Sequence, residues 1–309
     1  MRADPYSAAD ATTWNAFVAA GRNGTFLHDR RYMDYHADRF QDCSLLIREG
    51  DTLIAVLPAN LAGDAAVSHQ GLTYGGLVVA PRTTYGEVEQ ALDAVLDYLR
   101  GQGIREFRYK CLPRIYQLLP SDEDAFVLTT RGAILARRDM HGVVALGHRL
   151  KPQERRRRGA AKAAKAGIAI EQSHDWAGFW RVLEGTLGDR HGARPVHDLA
   201  EIELVAGRFP DNIRLHLARR GAEILGGTVI YATPLVARSQ YIAAAPAGLE
   251  TGALDLLFIT LMDQVYAAKS WFDFGASVDA AGVLNRGLLE QKEGFGARAV
   301  IQDHYTLAL

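Results

Sequence analysis

Residues Trp271–Gly296 read WFDFGASVDAAGVLNRGLLEQKEGFG. Three aromatics around Asp273 fit a buried strand, which Gly275 ends, and Ser277 falls in the following turn. Leu284–Glu293 has helical spacing before the Gly294-Phe295-Gly296 stop. Upstream lies a strongly apolar helix, Gly252–Ala267, so helix and strand together make one step of an α/β sheet. Working further back, Gln240–Ala245 is a strand, and Ile213–Arg219 and Ile224–Ala232 form a hairpin around Arg220-Gly221-Ala222. Helices are expected at Trp176–Leu187 and Leu199–Arg208, and Val300–Leu307 closes the chain as a strand.

The first half runs in the same order. Helices at Ala9–Ala20 and Arg30–Arg39 precede a hairpin of Cys43–Arg48 and Thr52–Leu57. After the glycine-rich extended stretch Val67–Val79, Glu87–Arg100 has apolar residues at helical spacing, and Ile104–Lys110 reads as a buried strand. Gly132–Leu146 supplies further strand. Ala91-Leu92-Asp93, a helix, a glycine turn and Phe107-Arg108-Tyr109 parallel Ala253-Leu254-Asp255, a helix and Trp271-Phe272-Asp273-Phe274. With 309 residues, about twice a usual domain, the expectation is a mixed (α+β) sheet of the α/β class built as two units of one type. The units are expected at residues 1–147 and 148–309, the second opened by a basic helix.

Composition bounds the function. Lys+Arg 35 against Asp+Glu 36 leaves a net charge of -1, so the whole chain has no bias toward DNA or an anionic membrane. The start lacks the apolar core of a secretory signal, and the strongest apolar run, Ala253–Met262, is too short to span a bilayer. Cys43 and Cys111 belong to no paired motif and read as small core residues in a reducing compartment, the cytoplasm.

Charge is gathered locally. Arg149, Lys151, Arg155, Arg156, Arg157, Arg158, Lys162 and Lys165 are opposed only by Glu154, and guanidinium forks suit phosphate oxygens. A second candidate is Lys292, which follows a strand end of the kind where open α/β sheets place ligands; Asn285, seven residues earlier, lies near the same helix face. Lys292 is suited to stabilising negative charge on a tetrahedral intermediate or to binding a phosphate. In Ser239–Leu254 the segment with Gly248 and Gly252 precedes a helix whose free amides suit a phosphate or a thioester carbonyl, and Tyr241 is a candidate general acid. Arg190, His191, Arg194 and His197 read as polar cleft lining. His197 and Glu201 complete no metal-ligand spacing, so no metal is expected. Ser68 and His69 lack a nucleophile-elbow context.

These residues carry a resemblance. The series Arg190-His191, Pro195-Val196-His197, Glu201, Arg208-Phe209-Pro210, Gly226-Gly227, Gln240-Tyr241-Ile242, Phe272-Asp273-Phe274-Gly275, Ser277 and Gln291-Lys292-Glu293-Gly294-Phe295-Gly296 resembles the Fem-type branch of the GNAT acyltransferases. The first half matches mainly in element order and in Leu57-Pro58-Ala59-Asn60. The resemblance implies a tandem pair of GNAT-like domains with the active site in a cleft between them. It also implies transfer of an acyl or aminoacyl group to a primary amine. Lys292 matches the family's functionally important lysine, and Arg155, Arg156 and Arg158 would hold an acceptor's diphosphate. Ser277, Asn285 and Phe295 join them as substrate-binding residues, with Gly248 and Gly252 toward the donor.

The expected function is thus an N-acyltransferase with no tightly bound cofactor, taking acyl-CoA or aminoacyl-tRNA as co-substrate. Its partner is a small anionic amine acceptor, such as a cell-envelope or nucleotide-linked precursor. Candidate bases are Asp273 and Glu290, and substrate-assisted or water-relayed deprotonation is equally allowed. A non-catalytic nucleotide- or RNA-binding module of the same fold is the alternative.

Overall fold

Two left-handed glycines, Gly50 and Gly221, each at φ 58°, turn the two principal hairpins. Glycine suits both because side chains rarely adopt that backbone region. A computed structural model describes residues 1–191, 195–279 and 281–309. The chain forms two units, Met1–Asp139 with Ile301–Leu309, and Met140–Val300.

The first unit begins with β1 (Arg2–Pro5), α1 (Ala11–Ala20), α2 (Arg30–Met33), β2 (Gln41–Asp42) and the hairpin β3 (Leu45–Glu49) and β4 (Thr52–Leu57). Then come β5 (Asn60–Ala62), β6 (Ala65–Val67), β7 (Val78–Val79), α3 (Tyr85–Gly101), β8 (Glu106–Lys110), α4 (Glu123–Thr130) and the start of β9 (Ile134–Ala145). One sheet has the order β1-β3-β4-β7. Beside it β2 pairs with β5, β5 with β6, and β6 runs parallel to β8, with α3 as part of the connection. Thr84 caps α3, its backbone N–H donating to the Glu87 carboxylate at 2.6 Å. Val88, Leu92, Val95, Leu96 and Leu99 then face Leu45, Ile47, Ala55 and Leu57 in one core.

The second unit contains the rest of β9, α5 (Glu154–Lys165), β10 (Ala169–Ser173), α6 (Trp176–His191) and α7 (Leu199–Arg208). It continues with β11 (Ile213–Arg220), β12 (Glu223–Ala232), β13 (Val236–Ala244), α8 (Pro246–Thr251), α9 (Ala253–Thr260), β14 (Trp271–Ala276), α10 (Arg286–Glu293) and the start of β15 (Arg298–Ala308). The strand order is β10-β11-β12-β13-β14-β9, antiparallel except for β13 and β14. Each unit thus joins a hairpin to one parallel pair connected through a helix, the repeat expected from the halves of the sequence.

Several elements depart from expectation. The helix expected at Arg30–Arg39 is only four residues, followed by a 3-10 turn at Asp34–His36, and Arg30 pairs with Asp34 and Asp42. The helix expected over Gly252–Ala267 starts at Ala253 and ends in a π-helical turn at Leu261–Val265, and a short helix that was not expected, Pro246–Thr251, precedes it, separated by Gly252 at φ 81°. Two short elements carried little signal: α4 buries only Val127 and Leu128, and β10 has no fully buried residue. Residues Ile301–Leu309 return to the first unit, whereas all of 148–309 was expected in the second. His304–Ala308 pair with β8, and Leu307 is buried in the first unit's core. Among the described residues no helix is long and apolar enough to cross a membrane.

Candidate functional site

The second unit's parallel pair is short. Val236, Ala237 and Arg238 pair with Trp271, Phe272 and Asp273, and there the pairing stops, while β13 continues to Ala244 against β12. The two strands part at Arg238 and Asp273. Asp273 is fully buried; its Oδ2 accepts from Arg238 Nη1 at 2.6 Å and stands 3.2 Å from His141 Nδ1. Its Oδ1 accepts from the Gly275 N–H at 2.7 Å. A buried carboxylate needs this degree of partnering, since an unpaired charge inside a protein is strongly unfavourable. Asp273 was expected among the catalytic residues, and the geometry makes it first of all the pin of the strand fork.

Lys292 lies at this fork. Its Nζ donates to Gly275 O at 2.8 Å, Ala276 O at 2.7 Å and Ser277 Oγ at 3.0 Å. Three acceptors match the three N–H bonds of an ammonium, where a neutral amine offers two. Burial pushes its pKa down to about 8, against the pull of the Asp273 carboxylate. Gly275, at φ 77°, lets the strand turn so that successive carbonyls face the lysine. The lysine stem needs Gly142 on β9, because a Cβ there would come 2.8 Å from Lys292 Cδ. Ser277 is buried, and its N–H donates to Met140 O at 2.7 Å.

Where β13 and β14 separate, a cleft of about 280 Å³ opens. Ile242, Ala243 and Ala244 line it from β13, Phe274 from β14, and Lys292 and Phe295 from α10 and the residues after it. Phe274 stacks on Phe295 with centroids 5.4 Å apart, and Phe258 of α9 meets both edge-on. A second cavity of about 240 Å³ shares Thr186, Ala244 and Leu249 with the first and has Arg181 in its wall.

The structure thus brings Lys292, Asp273, Ser277 and Phe295 together. Tyr241 and His197 form a separate pair, hydroxyl to Nδ1, with Trp180 edge-on to the tyrosine at 5.3 Å, and neither lines the cleft. Glu201 completes a capping box with Asp198 at the start of α7. Asn285 caps α10, accepting from the Leu288 N–H at 3.0 Å. Side chains of Arg190 and His191, and all of Arg194, lie outside the described residues.

The basic helix is tied to its neighbours. Arg155 donates to Glu290 O at 3.1 Å; Arg156 pairs with Asp255 at 2.8 Å and lies over Phe295, 4.8 Å from the ring centroid. Arg157 and Arg158 share Glu154 on the exposed face. Gly248 and Gly252, expected toward the donor, answer a packing demand. A Cβ at Gly248 would stand 1.8 Å from Leu225 O, and one at Gly252 would stand 2.5 Å from Gly159 O. The start of α9 therefore lies flush on α5, with the Arg156–Asp255 pair beside it. Arg238, His141, Gly142 and Arg181 were not anticipated. Two of them carried a signal: Arg238 is a lone charge in an apolar strand, and Gly142 is a glycine inside one, a mark of close approach.

No protein-family model matches the chain, and no curated protein matches it. Solved structures do. FemX superposes with a TM-score of 0.69 at 13% identity, covering 100% of this chain and 98% of that one. L-PGS from Bacillus licheniformis gives 0.63 at 13%, covering 98% and 92%. A tandem GNAT protein from the clavulanic acid biosynthesis pathway gives 0.55 at 14%, covering 99% and 98%. The parallel pair in each unit and the full-length superpositions agree: the chain has a two-unit mixed α/β fold similar to those of FemX and the tandem GNAT protein.

Proposed function

We propose that the protein is an N-acyltransferase that moves an acyl or aminoacyl group from an activated ester or thioester to a primary amine. The observation that carries this reading is the forked β13/β14 pair, opening onto a cleft with the buried Lys292 ammonium in its wall. The amine nitrogen attacks the donor carbonyl carbon, and a tetrahedral oxyanion forms. The carbon–oxygen or carbon–sulfur bond to the carrier then breaks, the leaving group takes a proton, and an amide remains. A fixed positive charge beside the cleft favours the charge that develops on oxygen in the transition state. Since both Asp273 oxygens are engaged, we assign it a positioning role, and the amine's proton goes to water or to the leaving group. The donor is an acyl-CoA or an aminoacyl-tRNA, and the acceptor a small anionic amine of cell-envelope or nucleotide-linked type, met in the cytoplasm.

The test is to incubate the protein with candidate amine acceptors and either donor, and to look for the new amide by mass spectrometry. Lys292→Ala is expected to lower product formation by about 10²-fold or more, the scale of losing one charge-stabilising group, with the fold intact by circular dichroism. Unchanged turnover in this variant would remove the site.

A further inference from the structure

We infer that the cleft at the β13/β14 fork receives the transferred group itself, and that it selects an uncharged apolar side chain over a cationic one. This inference rests on the transfer reading above and concerns which donors that site accepts. Most of the lining is hydrocarbon, with Ile242, Leu254, Phe258, Phe274 and Phe295 as its large side chains, and Thr186, Gln291 and Lys292 are its polar members. Among the described residues its only ionised lining group is Lys292, and no described Asp or Glu lines it. Asp273, the carboxylate that acts on Lys292, is committed to Arg238. A lysine-like side chain would therefore leave water, meet an ammonium and find no carboxylate, and each of these opposes binding. An apolar side chain only replaces water on hydrocarbon walls, which is favourable.

The neighbouring cavity, which shares Thr186, Ala244 and Leu249 with the cleft, gives the donor a direction in this reading. Arg181 stands in its wall on the surface of α6, and the hydroxyl of Thr186, on the shared wall, is bonded to Val182 O at 2.8 Å. The anionic carrier suits the end with the arginine, which leaves the inner cleft to the group that moves. Leu288 sets the width of the inner cleft from the half-buried side of α10. A larger residue there narrows the space without touching the strand fork.

Saturation-transfer NMR on the full chain, with N-acetyl-leucinamide and N-acetyl-lysinamide as probes, tests the preference without any turnover. The leucine probe is expected to bind, to lose at least tenfold in affinity in Leu288→Trp, and to retain binding in Leu288→Ala. The lysine probe is expected to bind at least tenfold more weakly than the leucine probe. Equal or tighter binding of the lysine probe, binding of neither, or a leucine signal indifferent to Leu288→Trp overturns the inference. Leucyl and lysyl donors on the same carrier, assayed for amide product, separate it from the transfer reading. If neither donor gives product while the leucine probe binds as stated, transfer fails and the selectivity stands; lysyl product in excess sinks the selectivity alone.

Discussion

At the scale of single residues, Lys292 ties stability to pH. Its pKa is about 8 in the fold and near the ordinary lysine value, about 10.4, when unfolded. Between those values the unfolded chain holds more protons, so rising pH favours the fold through this group. Below about pH 8 both states are protonated and the cost of burying the ammonium is fully present. Denaturant unfolding at pH 7, 8.5 and 10 is therefore expected to show the wild type gaining stability relative to Lys292→Met as pH rises. The same difference at all three pH values would mean the lysine titrates normally. The glycine-framed sequence around Lys292 singled it out, and the structure buries it at the strand fork. Its three acceptors were not, because two are backbone carbonyls, and carbonyl direction depends on the φ of Gly275. The expected role of Asn285 went the other way, since a helix cap and a ligand contact both call for a short polar side chain.

At the scale of elements, the site depends on two strands that begin together and then part. Pairing of Arg238 with Asp273 holds the last closed step. The charge on β14 was visible in the sequence, but its partner lies 35 residues earlier and the His141 contact 132 residues earlier. No local period connects them. Arg238→Met is expected to cost about 3–5 kcal/mol, the usual penalty for leaving one member of a buried pair uncompensated. The double variant Arg238→Met with Asp273→Leu is expected to be more stable than the single, because no charge is then stranded. Chemical denaturation of the four members of the cycle measures this. A single-variant cost below about 1 kcal/mol would mean that water already reaches the fork. The basic helix teaches the converse lesson. Its composition correctly announced a helix, yet much of its charge is consumed locally: Arg156 on Asp255, Arg157 and Arg158 on Glu154, Lys162 on Glu250 O. A charge run in sequence records cations without the acids and carbonyls that the fold brings to them.

At the scale of the whole molecule, duplication was legible because each half repeats its hairpin, helix and strand with the same periodicities. The exchange at the end of the chain was not, since a strand's own residues do not say which sheet edge it joins. β15 starts in the second unit and finishes in the first, where Leu307 is buried and His304–Ala308 form a ladder with β8. The first unit's core is therefore completed by residues about 170 positions further along the chain than the rest of it. Removing residues 301–309 exposes the edge of β8 and opens a space beside Phe107, the register partner of Leu307. A buried leucine alone is worth about 2–5 kcal/mol on truncation, and the lost ladder adds to that, a large part of a typical domain's stability. Hydrogen exchange on the truncated chain is expected to accelerate throughout α3, β3 and β4 while protection in β11 and β12 persists. Uniform loss of protection in both units would show that they unfold as one cooperative body, and that β15 joins their stabilities as well as their sequences.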